Sequence, residues 1–504
     1  MPAGQLCRGR QNNYNAHLQV TSDPHSTKPP GILISLTPVV FLVLGLLYTV
    51  RWAEGPVQIP LLLATGFAAL LALGLGHPWK QLEEGILKGI FIALQACLVL
   101  MVIGTLIGTW IQAGIVPAMV YYGLKLLNPG WFLVMACIIC SIISLSTGSS
   151  WSTAATVGLA LVGIGDALGV SSAMTAGAVI SGAYFGDKMS PLSDTTNLSP
   201  AVAGSEIFDH IRHMIFTTGP SYVLALILYT VLGWQYRDNA LDLSTVGTML
   251  ETLEANFNIT VWLLLVPGAV IVMVLKRVPA LPALFFGAII GGVVARFAQP
   301  GVTLPAVLNA SYSGFVSQTG VEAVDSLLTR GGMSSMMGTI ALIFCALAFG
   351  GVMECSGMLG SLAGAILRLA RGTGSLVTAT VVTCIGTNIV ASDQYMSIVI
   401  PGRMYREAFL KRGLHPKNLS RILEDAGTLT SPLIPWNTCG AFMGATLGVS
   451  AAAYLPFAFL NLVNPLLSIF YGVTGLTMAP AEPDTDQASV GANLQGEGEA
   501  EAAS

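Results

Sequence analysis

The segments 34–50 (ISLTPVVFLVLGLLYTV) and 261–275 (VWLLLVPGAVIVMVL) are almost pure hydrocarbon, and similar runs recur along the whole chain. A helix of about 20 apolar residues crosses a bilayer core of about 30 Å. Backbone polar groups find no water inside lipid, so such runs are built as helices that pair their own amides. Only 10% of the 504 residues are charged and mean hydropathy is +0.72, against about 25% charged in soluble domains. That composition cannot cover a water-facing surface. The chain reads as an all-α polytopic membrane protein.

Against this background stands 182–204, GAYFGDKMSPLSDTTNLSPAVAG, with two aspartates, a lysine, a run of hydroxyls and an asparagine around two prolines. Pro191 removes a helix hydrogen bond and Gly186 weakens the preceding turn. The freed carbonyls then lie beside Asp187, Ser190, Asp194, Thr195, Thr196 and Asn197. A second island has Gly427, Pro432 and Pro435 beside Thr428, Thr430, Ser431, Asn437 and Thr438. Irregular backbone survives at membrane depth only where protein or a water-filled cavity satisfies it. Oxygen-rich breaks of this kind suit small hard cations, and paired broken helices near the midplane are the pattern of secondary transporters.

The two islands belong to a duplication. SPLSDTTN begins at Ser190 and SPLIPWNT at Ser431, an offset of 431 − 190 = 241, and Gly186 and Gly427 share it. GSSWSTAATV from Gly148 resembles ASDQYMSIVI from Ala391, and 113–127 resembles 356–370. The loop 403–421 holds six of the 22 basic residues, whereas its counterpart 163–170 holds none. Basic loops stay in the cytoplasm, so equivalent loops fall on opposite sides and the repeats are inverted. Spans are expected near 31–49, 57–76, 89–112, 172–204, 219–234, 261–276, 280–297, 338–356, 425–448 and 452–472, with re-entrant hairpins near 131–165 and 375–402. The expected organisation is therefore a disordered cytoplasmic tail (1–30), a first repeat (31–234), a linker (235–260), a second repeat (261–472) and a disordered acidic tail (477–504). Each repeat has about five transmembrane helices plus its hairpin, and both termini are inside.

Candidate cation- or substrate-binding residues are Asp187, Ser190, Asp194, Thr195, Thr196, Asn197, Ser150, Asn388, Asp393, Ser431, Asn437 and Thr438. A carboxylate at mid-membrane is costly and functional by default. Asp194, Asp187 and Asp393 are thus the expected proton carriers, with Na⁺ at Asp194 and Asp393. Desolvation favours a protonated carboxyl and a nearby cation opposes it, so Na⁺ and H⁺ would compete for one site. Plainer readings stand beside these. Hydroxyls in helices also bond their own backbone; Asp187 and Lys188 could form a structural ion pair; Glu424 and Asp425 are placed at the cytoplasmic mouth; Glu354 and Asp166 are read as interfacial.

The net charge of −4 lacks a large basic patch and excludes nucleic acid as a natural partner. The first 30 residues lack the apolar core of a signal peptide. Cys137 and Cys140 form a C-x-x-C with no second pair and no nearby histidine, as membrane packing would also produce. GIGD at 163–166 matches a membrane aspartyl-protease motif, but none of the 13 tyrosines precedes an aspartate, as the partner motif requires. An enzyme is not expected, nor is a cofactor.

The island at 182–204, together with TNIVASDQYMSIVIPGRMYREAF and LEDAGTLTSPLIPWNTCGAFMGATLGV, closely resembles the signature of NhaC-type Na⁺/H⁺ antiporters. That family lies in a larger ion-transporter group with inverted repeats and paired hairpins, and it also contains malate/lactate antiporters. The resemblance covers most of 30–472 and implies cation-coupled exchange across a bacterial inner membrane. The primary expectation is alternating-access exchange of Na⁺ for H⁺. The alternative is Na⁺- or H⁺-coupled carriage of a small carboxylate or amino acid, for which Lys188 is the one obvious intramembrane cation. Expected partners are Na⁺, protons, an organic anion on the alternative reading, and membrane lipid, with a homodimer left open.

Overall fold

Lipid-exposed backbone must satisfy itself, and the regular elements among the described residues are all helices. The computed structural model describes residues 30–481 except 54, 127, 237–242 and 277. Arg237, Arg277 and most of both tails therefore lie outside the described residues.

The first half opens with α1 (Ile32–Tyr48), α2 (Gln58–Gly74) and α3 (Trp79–Gln112). After α4 (Ile115–Leu126) and α5 (Pro129–Thr147) the chain turns at Gly148. It returns as α6 (Ser150–Thr153), a π-helical turn (Ala154–Gly158) and α7 (Leu159–Ala167). Then come α8 (Ser172–Met189), α9 (Asp194–Ala203) and α10 (Ile207–Trp234).

The stretch 235–260, expected as a linker, contains α11 (Leu243–Asn256), which meets the following helical segment at 91°. The second half continues with α12 (Leu265–Leu275), α13 (Ala280–Ala298), and the short α14 (Leu304–Ser313) and α15 (Glu322–Leu328). It proceeds through α16 (Met337–Cys355), α17 (Met358–Arg368), α18 (Thr373–Val390) and α19 (Gln394–Leu410). Next is α20 (Pro416–Ile422), which widens into a π-helical turn (Leu423–Thr428). The last elements are α21 (Thr438–Leu447), α22 (Ala451–Tyr454) and α23 (Phe459–Thr474).

Helix α3 begins ten residues before the expected span and α10 twelve before it. Hydropathy marks lipid thickness, whereas the 34 residues of α3 extend about 50 Å. Its extra turns carry Lys80, Glu83, Glu84 and Lys88 beyond the apolar stretch.

The duplication is sharper in the backbone than in the sequence. Helices α5, α6, α8 and α9 begin at 129, 150, 172 and 194, and α18, α19, α20 and α21 at 373, 394, 416 and 438, a constant spacing of 244. The caps keep that spacing. Ser149 and Asp393 each accept an amide at a hairpin tip, and Ser193 and Asn437 do so after each break. Gly148 and Ser392, also 244 apart, both adopt left-handed backbone at the tips, with φ 68° and 58°. A serine there is strained, as functional tips often are. The offset of 241 is therefore corrected by one helical turn. Pro435, not Pro432, is the counterpart of Pro191, because both stand two residues before a cap.

Both hairpins return on themselves. Gly165 lies against Phe132, and Tyr405 Oη lies 2.7 Å from Thr383 Oγ1. Direction follows from α23. Its Leu460 amide donates to Ser181 Oγ (3.3 Å) and its Asn464 Oδ1 accepts from Lys188 (3.2 Å), so it runs parallel to α8. Its Asn461 donates to Leu429 O (2.8 Å), while Asn464 and Asp425 meet at Lys188, so it runs antiparallel to 416–430. The segment α8 and its counterpart thus point in opposite directions, and the repeats are inverted. Outside them, α2 packs on α16 and α13 on α3, with α3 and α16 in contact at the centre. That reciprocal exchange forms a second packed layer, lined by close contacts such as Gly89 on Leu347 O and Gly85 on Gly351 O.

Candidate functional site

Each hairpin tip abuts the helix break of its own half. At the first, Gly148 lies against the Leu192 backbone, and Ser150 Oγ donates to Asp187 Oδ2 at 2.6 Å. At the second, the Thr438 amide donates to Ser392 O (2.9 Å), and Asp393 Oδ1 accepts from the Met396 amide (3.1 Å). Thr438 Oγ1 reaches Asp393 Oδ2 at 3.4 Å. The halves meet where Trp151 stacks on Phe442 (4.0 Å) and Tyr395 Oη approaches Asp194 Oδ2 (3.5 Å). Four helix starts (α6, α9, α19, α21) therefore converge on one polar centre, each presenting the positive end of its dipole.

The sequence-derived residues divide into two groups. Asp187, Ser150, Asp393, Thr438, Ser431 and Asp194 line the tips and breaks. The others, Thr195 apart, mainly hold the irregular backbone. Thr196 donates to Asp187 O and Lys188 O, and Asn197 to Pro191 O and Ser193 O. Ser190 Oγ accepts from the Leu192 amide. Asn388 donates to Gly427 O and Thr430, and Asn437 donates back to Asn388. The Asn388 bond has an exact-spacing counterpart in Ser144 Oγ donating to Ala183 O, each member 244 residues earlier. Thr195 contacts Ser193 Oγ (3.2 Å) and Glu424 Oε2 (3.5 Å).

Three placements differ from the sequence-based reading. Asp194, expected as a buried mid-membrane carboxylate, is exposed at the first residue of α9, while Asp187 is the buried one. Helix α9 starts at this residue, so its side chain leaves the axis into open space. Lys188 does not pair with Asp187, because neighbouring helical residues diverge; it forms an ion pair with Asp425. Glu424 and Asp425 do not flank a mouth. Both are fully buried, because the π-helical turn carries them inward, Asp425 to Lys188 of α8 and Glu424 to Ser199 of α9. Asp425 also accepts from Thr217 (2.9 Å) and lies 3.9 Å from Arg421 Nε; Glu424 accepts from Ser199 Oγ (2.7 Å). Asp166 pairs with Arg330 at 3.6 Å on the half-exposed surface. Cys137 and Cys140 are free and buried in the core.

The ion pairs among the described residues are Lys188–Asp425, Arg421–Asp425, Arg330–Asp166 and Lys411–Glu407. Asp187, Asp393 and Glu424 are thus buried carboxylates with no basic partner at ion-pair distance. Sequence reasoning missed the roles of Glu424, Gln394 and Cys439. The 244 spacing would have found Gln394, since it occupies the position of Ser150.

The chain matches the model of the Na⁺/H⁺ antiporter family over residues 182–476. It is 40% identical over 422 residues to the Na⁺/H⁺ antiporter NhaC of Alkalihalophilus pseudofirmus, covering 84% of this chain and 90% of that one. It is 41% identical over 415 residues to NhaC of Bacillus subtilis (82% and 92% covered). It is also 38% identical over 436 residues to the malate-2H⁺/Na⁺-lactate antiporter of Bacillus subtilis (86% and 93% covered).

Proposed function

Because the chain belongs to the Na⁺/H⁺ antiporter family, we propose that it is a secondary transporter exchanging Na⁺ for protons by alternating access. The observation that carries this reading is the set of buried carboxylates without basic partners, Asp187, Asp393 and Glu424. An unpaired charge buried in lipid is costly. Each of these groups is balanced by a transported cation or by a proton, and one ligand must leave before the other enters. Asp187 and Asp393, with Asp194 at the exposed edge and Ser150, Thr195 and Thr438 beside them, form the proposed ion site. Fixed acids at the helix starts already oppose the dipoles that would otherwise attract an anion. Lys188, the cation a carboxylate substrate would need, is committed to Asp425.

The protein is proposed to lie in the plasma membrane with the 403–421 loop and both termini in the cytoplasm, as its basic residues favour. The test is dissipation of an imposed ΔpH in proteoliposomes on adding Na⁺, Li⁺, K⁺, malate or lactate. Na⁺ is expected to dissipate the gradient without any organic anion. A response to malate or lactate with none to Na⁺ would replace this reading with the carboxylate one.

A further inference from the structure

Glu424 is fully buried, and it stands in the π-helical turn rather than at either hairpin tip. Ser199 Oγ donates to its Oε1 at 2.7 Å, and Thr195 Oγ1 lies 3.5 Å from its Oε2. Thr195 and Ser199 are one turn apart on α9. Hydroxyls in this protein commonly bond the carbonyl one turn back on their own helix, as Thr65, Ser221 and Thr380 do. These two reach instead from the first half to one carboxyl of the second. The backbone plan does not require that carboxyl. At the spacing of 244, Glu424, Thr195 and Ser199 correspond to Ile180, Cys439 and Met443, all buried.

The surrounding charges make the group able to titrate. The fully buried charges nearby are Lys188 of α8, Arg421 of α20 and Asp425, which sum to +1. Asp187 of α8 and Asp194 of α9 belong to the proposed ion site, and Lys417 of α20 is half-buried. Arg403, Arg406 and Glu407 of α19 are exposed, and α18 and α23 offer only Cys384 and Tyr471. Ionised Glu424 therefore completes a neutral buried set with Lys188, Arg421 and Asp425. A proton on Glu424 and Na⁺ at Asp187 are then alternative ways to supply one positive charge to the same buried region, where two unbalanced charges would be costly.

We propose that Glu424 is the proton carrier of the exchange, separate from the Na⁺ ligands Asp187 and Asp393. With Na⁺ bound, Glu424 is ionised and accepts from Ser199 and Thr195. As Na⁺ leaves, Glu424 takes one proton from water and forms one O–H bond; the next Na⁺ returns that proton to water. Thr195 carries the contact between the two sites, because its Oγ1 also lies 3.2 Å from Ser193 Oγ at the first break.

The inference rests on Na⁺/H⁺ exchange, so wild type is measured first in proteoliposomes, by Na⁺-induced ΔpH dissipation and by radiolabelled Na⁺/Na⁺ exchange at equal pH. A wild type silent to Na⁺ in both assays would overturn that reading and this inference with it. With wild type active, Glu424→Gln keeps the shape and the bond from Ser199 but holds no releasable proton. Its ΔpH dissipation should fall about a hundredfold or more, while Na⁺/Na⁺ exchange at saturating Na⁺ stays within about threefold of wild type. Asp187→Asn, by contrast, should lose both fluxes. In acid, protonated Glu424 excludes Na⁺ and sets the acid limb of exchange. Ser199→Ala withdraws a donor from the ionised carboxyl and should move that limb about one pH unit higher, the worth of one hydrogen bond. A folded Glu424→Gln that loses both fluxes together, or that keeps ΔpH dissipation, would overturn the proposal. So would an acid limb unmoved in Ser199→Ala, the measurement that decides if Glu424→Gln does not insert.

Discussion

In the first half a serine hydroxyl, Ser150, donates to a carboxylate, Asp187; at the equivalent positions of the second half an amide, Gln394, meets a hydroxyl, Ser431. The backbones match in register, cap and turn, yet the charge is distributed unequally. Lys188 has Pro432 as its counterpart, and its partner Asp425 has Ser181. Packing differs as well. Helix α21 rests on α3 and α16, whereas its equivalent α9 rests on α19 and α20. Asp194, Asn197 and Ala201 on α9 are exposed, while Thr438 and Ala441 on α21 are buried. One backbone plan therefore holds two environments at once, one closed against α3 and α16 and one open. An inverted repeat that exchanges those environments alternates access without needing a second fold.

The largest effect should come from the one charged residue at the first tip-to-break contact. Asp187→Asn keeps the shape and the bond from Ser150 but removes the charge. Exchange should fall by about a hundredfold or more, the scale of losing a buried charged ligand, with insertion and detergent-solubilised yield unchanged. Ser431→Ala at the equivalent position should cost only a few-fold. Equal losses at the two positions would mean that the halves are chemically interchangeable, against the comparison.

Lys188 carries the next effect, this time on stability. Removing one member of a fully buried pair costs about 3–5 kcal/mol where the other charge is stranded, and the low end applies here because Arg421 stays 3.9 Å from Asp425. Lys188→Met should therefore lower the thermal midpoint in detergent markedly. Adding Asp425→Asn should not restore it, since Arg421 then loses the buried carboxylate it faces. A Lys188→Met protein as stable as wild type would show that the tie between halves is not structural.

The fold was legible to the level of broken helices, hairpins and opposite orientation, because proline, glycine and basic loops act locally. The register was not. The repeated Ser-Pro-Leu motif suggested 241, while the cap residues Ser193 and Asn437, whose role is to end the break, stand 244 apart. Glu424 and Asp425 follow a basic loop closely, and sequence distance alone placed them at its mouth. Their burial depends on a widened helical turn that carries no compositional signature.

Accessibility gives a smaller, reversible measure of the same asymmetry. In a background without native cysteines, Asn197→Cys and Ala441→Cys occupy equivalent positions on α9 and α21. A water-soluble thiol reagent should label position 197 at least about tenfold faster, a ratio equal to about 1.4 kcal/mol of difference in opening. An imposed gradient that drives turnover should narrow the ratio. Equal labelling of the resting protein would remove the open and closed assignment.

The smallest effect is expected where the second half has a segment the first lacks. Between α2 and α3 the chain spans only residues 75–78, whereas between α13 and α16 it makes a long excursion containing α14 and α15. Asp325 organises that excursion. It accepts from Ser317 Oγ (2.7 Å), from the Thr319 amide (2.7 Å) and hydroxyl (2.8 Å), and from the Gly320 amide (3.0 Å). The Thr319 amide and the Ser317 hydroxyl hold its carboxyl down at about 2. A carboxyl depressed below its unfolded value of about 3.9 contributes its stability above that value and loses it as pH falls through the folded one. The site is solvent-screened, so the contribution is small. Asp325→Asn should lower the thermal midpoint by a few degrees at most, with a gap from wild type that is flat between pH 5 and 9 and closes in acid. Exchange should be retained, because the loop touches neither tip nor break. Loss of Na⁺-dependent flux in this variant, or a stability gap that changes near neutral pH, would tie the excursion to the transport site and break the separation between added loop and duplicated core.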